Sequence, residues 1–385
     1  MTSIFIRRSL PRRRQNERSQ ARYTLPEVPH LVHGRTNGSL TPLTLFWTAA
    51  GLELNVRGSE LWVEFTADWD IHEPWYSFMV NGEFFSRRMA QKGTERVCVF
   101  RGMDPEKVKN VRIFKDTQAM NADPESVLQI NAVETDGEFL PVPERNLKIE
   151  FIGDSITSGE GDIGAKAETD WISMFFSAEN NYAVMVSRAL NADIRVSSQS
   201  GWGVCCGWNN DPNSAIPPIY GQLCGLLSGE KNIALGAKEP YDFTKWQPNY
   251  VFINLGTNDC GAFSQPAWTD ETTGETFQNR RTEDGKLNPE DEARFAHGAT
   301  AFLKQLRGYY PNARLVWIYG MLGLELAPAL QKAIDDYKAE TGDANAEFLS
   351  LTDDLKNRGC RDHPGVGAHR TAANELIAYI KKQNA

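Results

Sequence analysis

The sequence predicts a mixed α/β protein, a small antiparallel β-sandwich followed by a three-layer α/β/α domain on a parallel sheet. Three observations predict it. Before Pro141 the apolar residues recur with period two in short runs; after Leu147 strand-like runs alternate with helix-like ones; and the later strand-like runs end in Gly, Ser and Asn, which a buried strand does not need. The 385 residues, 41% hydrophobic and 24% charged, suffice for two cores.

Residues 1–27 open with "MTSIFIRRSLPRRRQNERSQAR", Arg-rich and without the apolar segment of a secretory signal, and are expected to form a flexible basic arm. The sandwich is expected over 28–143, where "LTLFWTAAGLELNVRG", "ELWVEFTAD", "YSFMVNGEFFSRRM", "ERVCVFRG" and "NVRIFKD" are rich in aromatic and β-branched residues. The pair Asn81 and Gly82 is a hairpin turn signal. A Pro-containing linker, "FLPVPERN", leads to the second domain over 144–385. There "KIEFIG", "ADIRVSS", "YVFINLG", "RLVWIYG" and "EFLSL" alternate with helical patterns such as "YAVMVSRALN", "ARFAHGATAFLKQLRG", "LAPALQKAIDDYKAET" and "TAANELIAYIKK". That alternation implies crossover connections and helices on both sheet faces.

A formal net charge of −9 argues against nucleic acid as a partner, and no apolar run approaches a membrane span of about 20 residues. Six scattered cysteines, with Cys205 and Cys206 adjacent, fit a reduced compartment, and a cytoplasmic location is expected. Oligomeric state cannot be read from the sequence.

Four polar strand ends are the candidates for chemistry. "GDS" places Ser155 after the first strand of the second domain; "SSQSGWG" puts Gly201 in a turn where a backbone amide can meet a ligand; "NLGTND" offers the amide of Asn258; and "GCRDHPGVGAH" sets His363 before the last helix. Each alone reads as turn or capping chemistry. Together they supply a nucleophile, a base and anion donors, the parts acyl transfer requires.

The stretches "FIGDSITSGEG", "SQSGWG", "NLGTND" and "HPGVGAH" resemble the four sequence blocks of the SGNH, or GDSL-type, hydrolases, and the preceding sandwich resembles that of the carbohydrate esterase family 2 subgroup, which implies a jelly-roll-like domain. The resemblance implies Ser155 as nucleophile, His363 as base, and an oxyanion hole from Gly201, Asn258 and the Ser155 amide, with no cofactor and no metal. It also implies a substrate, acetylated oligosaccharide of xylan or mannan type, deacetylated through an acyl-enzyme. The pattern departs from the family at Cys360, where an aspartate usually stands three residues before the histidine. Asp362 adjoins His363, but neighbouring side chains on an extended segment point to opposite sides. The expected orienting group is a backbone carbonyl, giving a Ser and His dyad, or a carboxylate from elsewhere in the chain, completing a triad.

Other readings were open. Cys360 beside His363 is a second candidate nucleophile, without an anion hole of its own. His369 with Asp259 would be a metal pair of no helical spacing, so His369 is expected to cap the last helix. Trp202 is the candidate substrate-stacking ring, ahead of Trp208 and Trp268. Two further functions compete with deacetylation: hydrolysis of lipid-like acyl esters or thioesters, and sugar binding with an inactive second domain. The polar segment "GEGDIGAKAETDW" after Ser155 favours a small acyl group.

Overall fold

The structure, a computed structural model, describes residues 19–384. Two antiparallel sheets face each other in the first part. One runs Ala21–Tyr23, Val127–Thr135, Glu60–Asp68, Gly93–Arg101 and the other Glu138–Leu140, Gly51–Arg57, Val108–Lys115, Trp75–Val80, Glu83–Met89. Strand Glu60–Asp68 illustrates the pleat: Leu61, Val63, Phe65 and Ala67 are buried and the residues between them are not. Asn81 and Gly82 both take left-handed φ, 54° and 83°, the conformation a two-residue hairpin demands.

The expected basic arm is shorter than 27 residues. Residues 1–18 lie outside the described residues, whereas Ala21–Tyr23 pairs with Val133–Thr135 and Leu25 is fully buried. Three residues are too few to reveal a strand by period; the partner strand supplies the stability.

The second part holds five parallel strands, β1 (Lys148–Gly153), β2 (Asp193–Ser198), β3 (Tyr250–Asn254), β4 (Arg314–Tyr319) and β5 (Ala346–Ser350), in the order β2-β1-β3-β4-β5. Alternate strand residues serve opposite faces. Phe151, Phe252, Val316 and Ile318 pack with Val184, Val186, Leu376 and Ile380 from helices Tyr182–Leu190 and Val366–Gln383. Ile152, Val251, Ile253, Leu315 and Trp317 pack instead with Phe295, Phe302, Leu330 and Ile334 from helices Pro289–Tyr309 and Ala327–Thr341. The chain reverses direction across the sheet at β1, so the crevice between the ends of β2, β1 and β3 is the expected ligand site.

The two parts share core. Phe46, Trp47 and Ala119 of the sandwich join one face's cluster, and Ala49, Met79 and Phe114 join the other. Arg35 of the sandwich is fully buried in the second domain, donating to the Tyr220 carbonyl (2.8 Å) and to Glu150 (3.1 Å) with its guanidinium 4.2 Å above the Tyr220 ring. A buried guanidinium is tolerated only when paired and hydrogen-bonded in this way, so Arg35 fixes how the two parts meet.

Candidate active site

Strand β1 ends at Gly153, and Asp154 caps the four-residue helix Ser155–Ser158 by accepting the Ile156 amide at 3.0 Å. A side chain at Gly153 would lie 2.0 Å from Thr157 Oγ1, so only glycine lets the turn fold this tightly onto the strand. Ser155 therefore stands at the carboxyl end of the central strand. Burial pushes the Asp154 carboxyl up to about 8, and its second oxygen has no hydrogen-bond partner.

His363 follows a 3-10 turn, Cys360–Asp362, in which Arg361 and Asp362 both have left-handed φ, 54° and 56°. Such backbone costs about 1–3 kcal/mol per residue and is retained where surrounding contacts enforce it. The turn brings the Arg361 carbonyl 3.0 Å from His363 Nδ1, while Nε2 lies 2.9 Å from Ser155 Oγ. A carbonyl only accepts, so Nδ1 carries the proton and Nε2 presents its lone pair to the serine hydroxyl.

The backbone carbonyl thus occupies the place of a triad carboxylate. Asp362 is exposed, and both ring nitrogens already have partners. Asp362→Asn is expected to lower kcat less than about tenfold, roughly 1.4 kcal/mol; a loss beyond a hundredfold in the folded variant would make Asp362 the third member. Cys360 is buried with its thiol on the Ile163 carbonyl, and burial raises its pKa, so it is a packed side chain.

His369 does not cap the last helix. It lies within that helix, fully buried, and its Nδ1 accepts the Tyr182 amide at 3.2 Å, capping the start of helix Tyr182–Leu190 instead. Burial holds its pKa down at about 3, so the ring is neutral. Asp259 is likewise committed: its carboxylate accepts the amides of Val204 (2.8 Å), Cys205 (2.8 Å) and Cys206 (3.4 Å), tying the loop after β2 to the helix after β3. No group of three or more potential metal ligands occurs among the described residues.

Gly153 lies opposite Ser198 and Asn254 in the sheet, so the loops carrying Gly201 and Asn258 flank Ser155. Gly201 has φ of 80°, and among the described residues neither its amide nor that of Ser155 meets a protein acceptor. Asn258 spends one amide hydrogen on the Trp202 carbonyl (2.9 Å) and retains the other.

Trp202, between Gly201 and Gly203, is 9% exposed and joins the core cluster, and its carbonyl accepts Asn258 Nδ2. Trp208 is the exposed ring, 53% accessible, with its Cδ1 3.2 Å from where a Gly201 side chain would begin.

Sequence reasoning missed Glu160. Its Oε1 lies 3.7 Å from His363 Nε2 and accepts Arg361 Nε at 3.1 Å. The one local signal is its place between two glycines, Gly159 and Gly161, both with left-handed φ.

A buried serine paired with a correctly tautomerised histidine at the switch point of a parallel sheet defines a hydrolase of the serine type. The chain belongs to the GDSL-like Lipase/Acylhydrolase family, whose sequence model matches residues 151–371. It is similar in structure to an acetyl xylan esterase, Est2A, from the rumen bacterium Butyrivibrio proteoclasticus, at 42% identity and a TM-score of 0.93 over 94% of this chain and 98% of that one. It is also 25% identical over 347 residues to the cellulase/esterase CelE of Acetivibrio thermocellus, and 24% identical over 248 residues to an acetylxylan esterase / glucomannan deacetylase of Cellvibrio japonicus. Those matches cover 88% and 63% of this chain, but the chain spans only 37% and 61% of the two relatives.

Proposed function

We propose that this protein is a carboxylic-ester hydrolase that removes O-acetyl groups from acetylated xylan- or mannan-derived oligosaccharides. The observation that carries the reading is the 2.9 Å contact from Ser155 Oγ to His363 Nε2 with Nδ1 bound to a backbone carbonyl. In this mechanism His363 Nε2 takes the serine proton as Oγ bonds to the acetyl carbonyl carbon, and the carbonyl π electrons become the oxyanion. The amides of Ser155 and Gly201 and the free hydrogen of Asn258 Nδ2 are the donors for that oxyanion. Collapse breaks the bond to the sugar oxygen, which takes the proton from Nε2. A water deprotonated at the same nitrogen then hydrolyses the acetyl-serine, regenerating the free hydroxyl.

Two features support a sugar acetate over a lipid ester. The segment Gly159–Trp171 is polar, and exposed Trp208 beside Gly201 offers a ring on which the C–H face of a sugar can stack. No helix among the described residues is long and apolar enough to cross a membrane. All six cysteines are unpaired, which supports a reducing, cytoplasmic setting.

The test is acetate release from acetylated xylo- and manno-oligosaccharides, together with rates for acetyl, butyryl and octanoyl esters of one chromogenic alcohol. The expected kcat/KM falls at least about tenfold from acetyl to butyryl and further to octanoyl. A preference for octanoyl would replace this reading with lipid-ester hydrolysis, and binding of the oligosaccharide without turnover would leave a sugar-binding protein.

A further inference from the structure

We propose that Glu160 is an electrostatic positioning residue for His363, a carboxylate that acts at Nε2 in place of the one missing at Nδ1. The proposal rests on the reading of Ser155 and His363 as the reacting pair.

The backbone holds Glu160 there from both sides. A side chain on Gly159 would come within 2.4 Å of the Ser177 carbonyl, and one on Gly161 within 2.5 Å of the Cys360 carbonyl and 2.8 Å of His363 Cβ. The Glu160 amide donates to the Ser155 carbonyl (3.0 Å), the Gly161 amide to Phe175 (2.8 Å), and the Gly161 carbonyl accepts from Cys360 (3.0 Å). Glu160 is thereby stitched to the nucleophile's turn and to the histidine's turn at once. Its side chain is 4% exposed and that of His363 17%. Charge at this site is consequently poorly screened.

Arg361 completes the arrangement. Its carbonyl binds Nδ1, its Nε binds Glu160 Oε1, its Nη1 donates to the Thr169 carbonyl (2.8 Å), and its amide to Glu168 (3.0 Å). One residue in a left-handed conformation therefore aims both the imidazole and the carboxylate.

The 3.7 Å separation decides the role. It is too long for a hydrogen bond that would compete with Ser155 for Nε2. While the ring is neutral the carboxylate gains little from it; once Nε2 has taken the serine proton, the imidazolium and carboxylate attract strongly. The interaction is made mainly in the charged transition state, which is the condition for raising kcat. Other titratable groups facing the pair are Asp154 and Cys360, which interact with Glu160, and His369, which interacts with His363. Asp162 lies two residues beyond Glu160, fully buried toward Asp116 and Arg87, and Asp362 is exposed on the histidine's turn. Among the carboxylates of the described residues, only Glu160 forms an ion-pair contact with the reacting nitrogen.

The experiment measures the pH dependence of kcat and kcat/KM on a chromogenic acetyl ester that has no sugar, for the full chain, Glu160→Gln, Glu160→Asp, Arg361→Met and Ser155→Ala. A carboxylate near Nε2 favours the imidazolium that forms as the ring takes the serine proton, so its removal disfavours that charge. Glu160→Gln should therefore lose roughly tenfold to a hundredfold in kcat and move the acid limb of the profile to lower pH. Glu160→Asp, which keeps the charge, should restore part of both. Arg361→Met removes the cation that offsets Glu160, so its acid limb should move the opposite way, to higher pH. A Glu160→Gln kcat within twofold of the parent, or a limb that does not move, overturns the proposal, as does a shift of the same sign in Arg361→Met. Should Glu160→Gln fail to fold, the contrast between Glu160→Ala, which removes the charge, and Glu160→Asp, which keeps it, decides in its place. A change confined to KM would make Glu160 a substrate contact instead. Activity retained by Ser155→Ala would overturn the parent reading, whereas an inactive Ser155→Ala beside a normal Glu160→Gln overturns this inference only.

Discussion

Ser155→Ala and His363→Ala are each expected to lose about four orders of magnitude or more in kcat on an acetyl ester, with the fold intact. The two side chains form one unit, since among the described residues the hydroxyl's hydrogen-bond partner is the lone pair of Nε2 at 2.9 Å. Removing either member closes the same route, so the double variant should be little slower than the worse single one. The residual rate should come from the oxyanion donors and binding alone. Ser155 is 5% exposed, so its truncation to Ala deletes one oxygen and leaves little void. The melting temperature should therefore hardly change. Stopped activity at unchanged melting temperature supports the assignment; activity within tenfold of the parent in Ser155→Ala removes it, whatever the fold resembles.

What the sequence made legible follows from the range over which each feature is encoded. The five parallel strands and their helices are written locally: Phe151 and Ile152 point to opposite faces because a strand alternates, and the helical runs carry their own apolar stripes. Asn81 and Gly82 dictate their turn by their own conformational preferences. Ser155 and His363 were legible through the turns that hold them. The carbonyl of Arg361 was expected only as a type of partner, because no residue letter encodes a backbone oxygen. Glu160 was invisible for a different reason: its role exists only where Gly161 packs against the turn of His363, two hundred residues on, and period or propensity says nothing of such a contact. Trp202 was open in the sequence because an indole suits core and sugar face equally; the structure places it in the core cluster at 9% exposure, beside the site. The strand Ala21–Tyr23 is similar, a short segment stabilised by a partner over a hundred residues away.

Asn258→Ala is expected to lower kcat about a hundredfold to a thousandfold, roughly 3–4 kcal/mol, with a much smaller change in KM. The reason is the division of labour in its amide. One hydrogen of Nδ2 is fixed on the Trp202 carbonyl at 2.9 Å, and this bond sets the direction of the other. The neighbouring Asp259 holds the amides of residues 204–206, so two consecutive side chains at the start of helix Thr257–Ala262 grip the turn after β2 at both ends. Gly256, with φ of 123°, permits the helix to start there, where a side chain would lie 3.2 Å from the Phe295 ring and 3.3 Å from Tyr319. The substitution therefore has two separable consequences. Loss of the bond to Trp202 leaves a buried carbonyl unpaired, a cost of about 1–3 kcal/mol in stability that lowers the melting temperature. Loss of the second hydrogen removes a donor needed only when the oxyanion forms, and that lowers kcat. Asn258→Asp separates them further. It keeps the size and places acceptors against both the Trp202 carbonyl and the oxyanion, so its kcat should fall at least as far as that of the alanine variant. Measuring kcat, KM and melting temperature on the same preparations decides the matter. A folded Asn258→Ala enzyme that melts early but turns over at the parental rate would make Asn258 a clamp for the turn and leave the oxyanion to the backbone amides of Ser155 and Gly201.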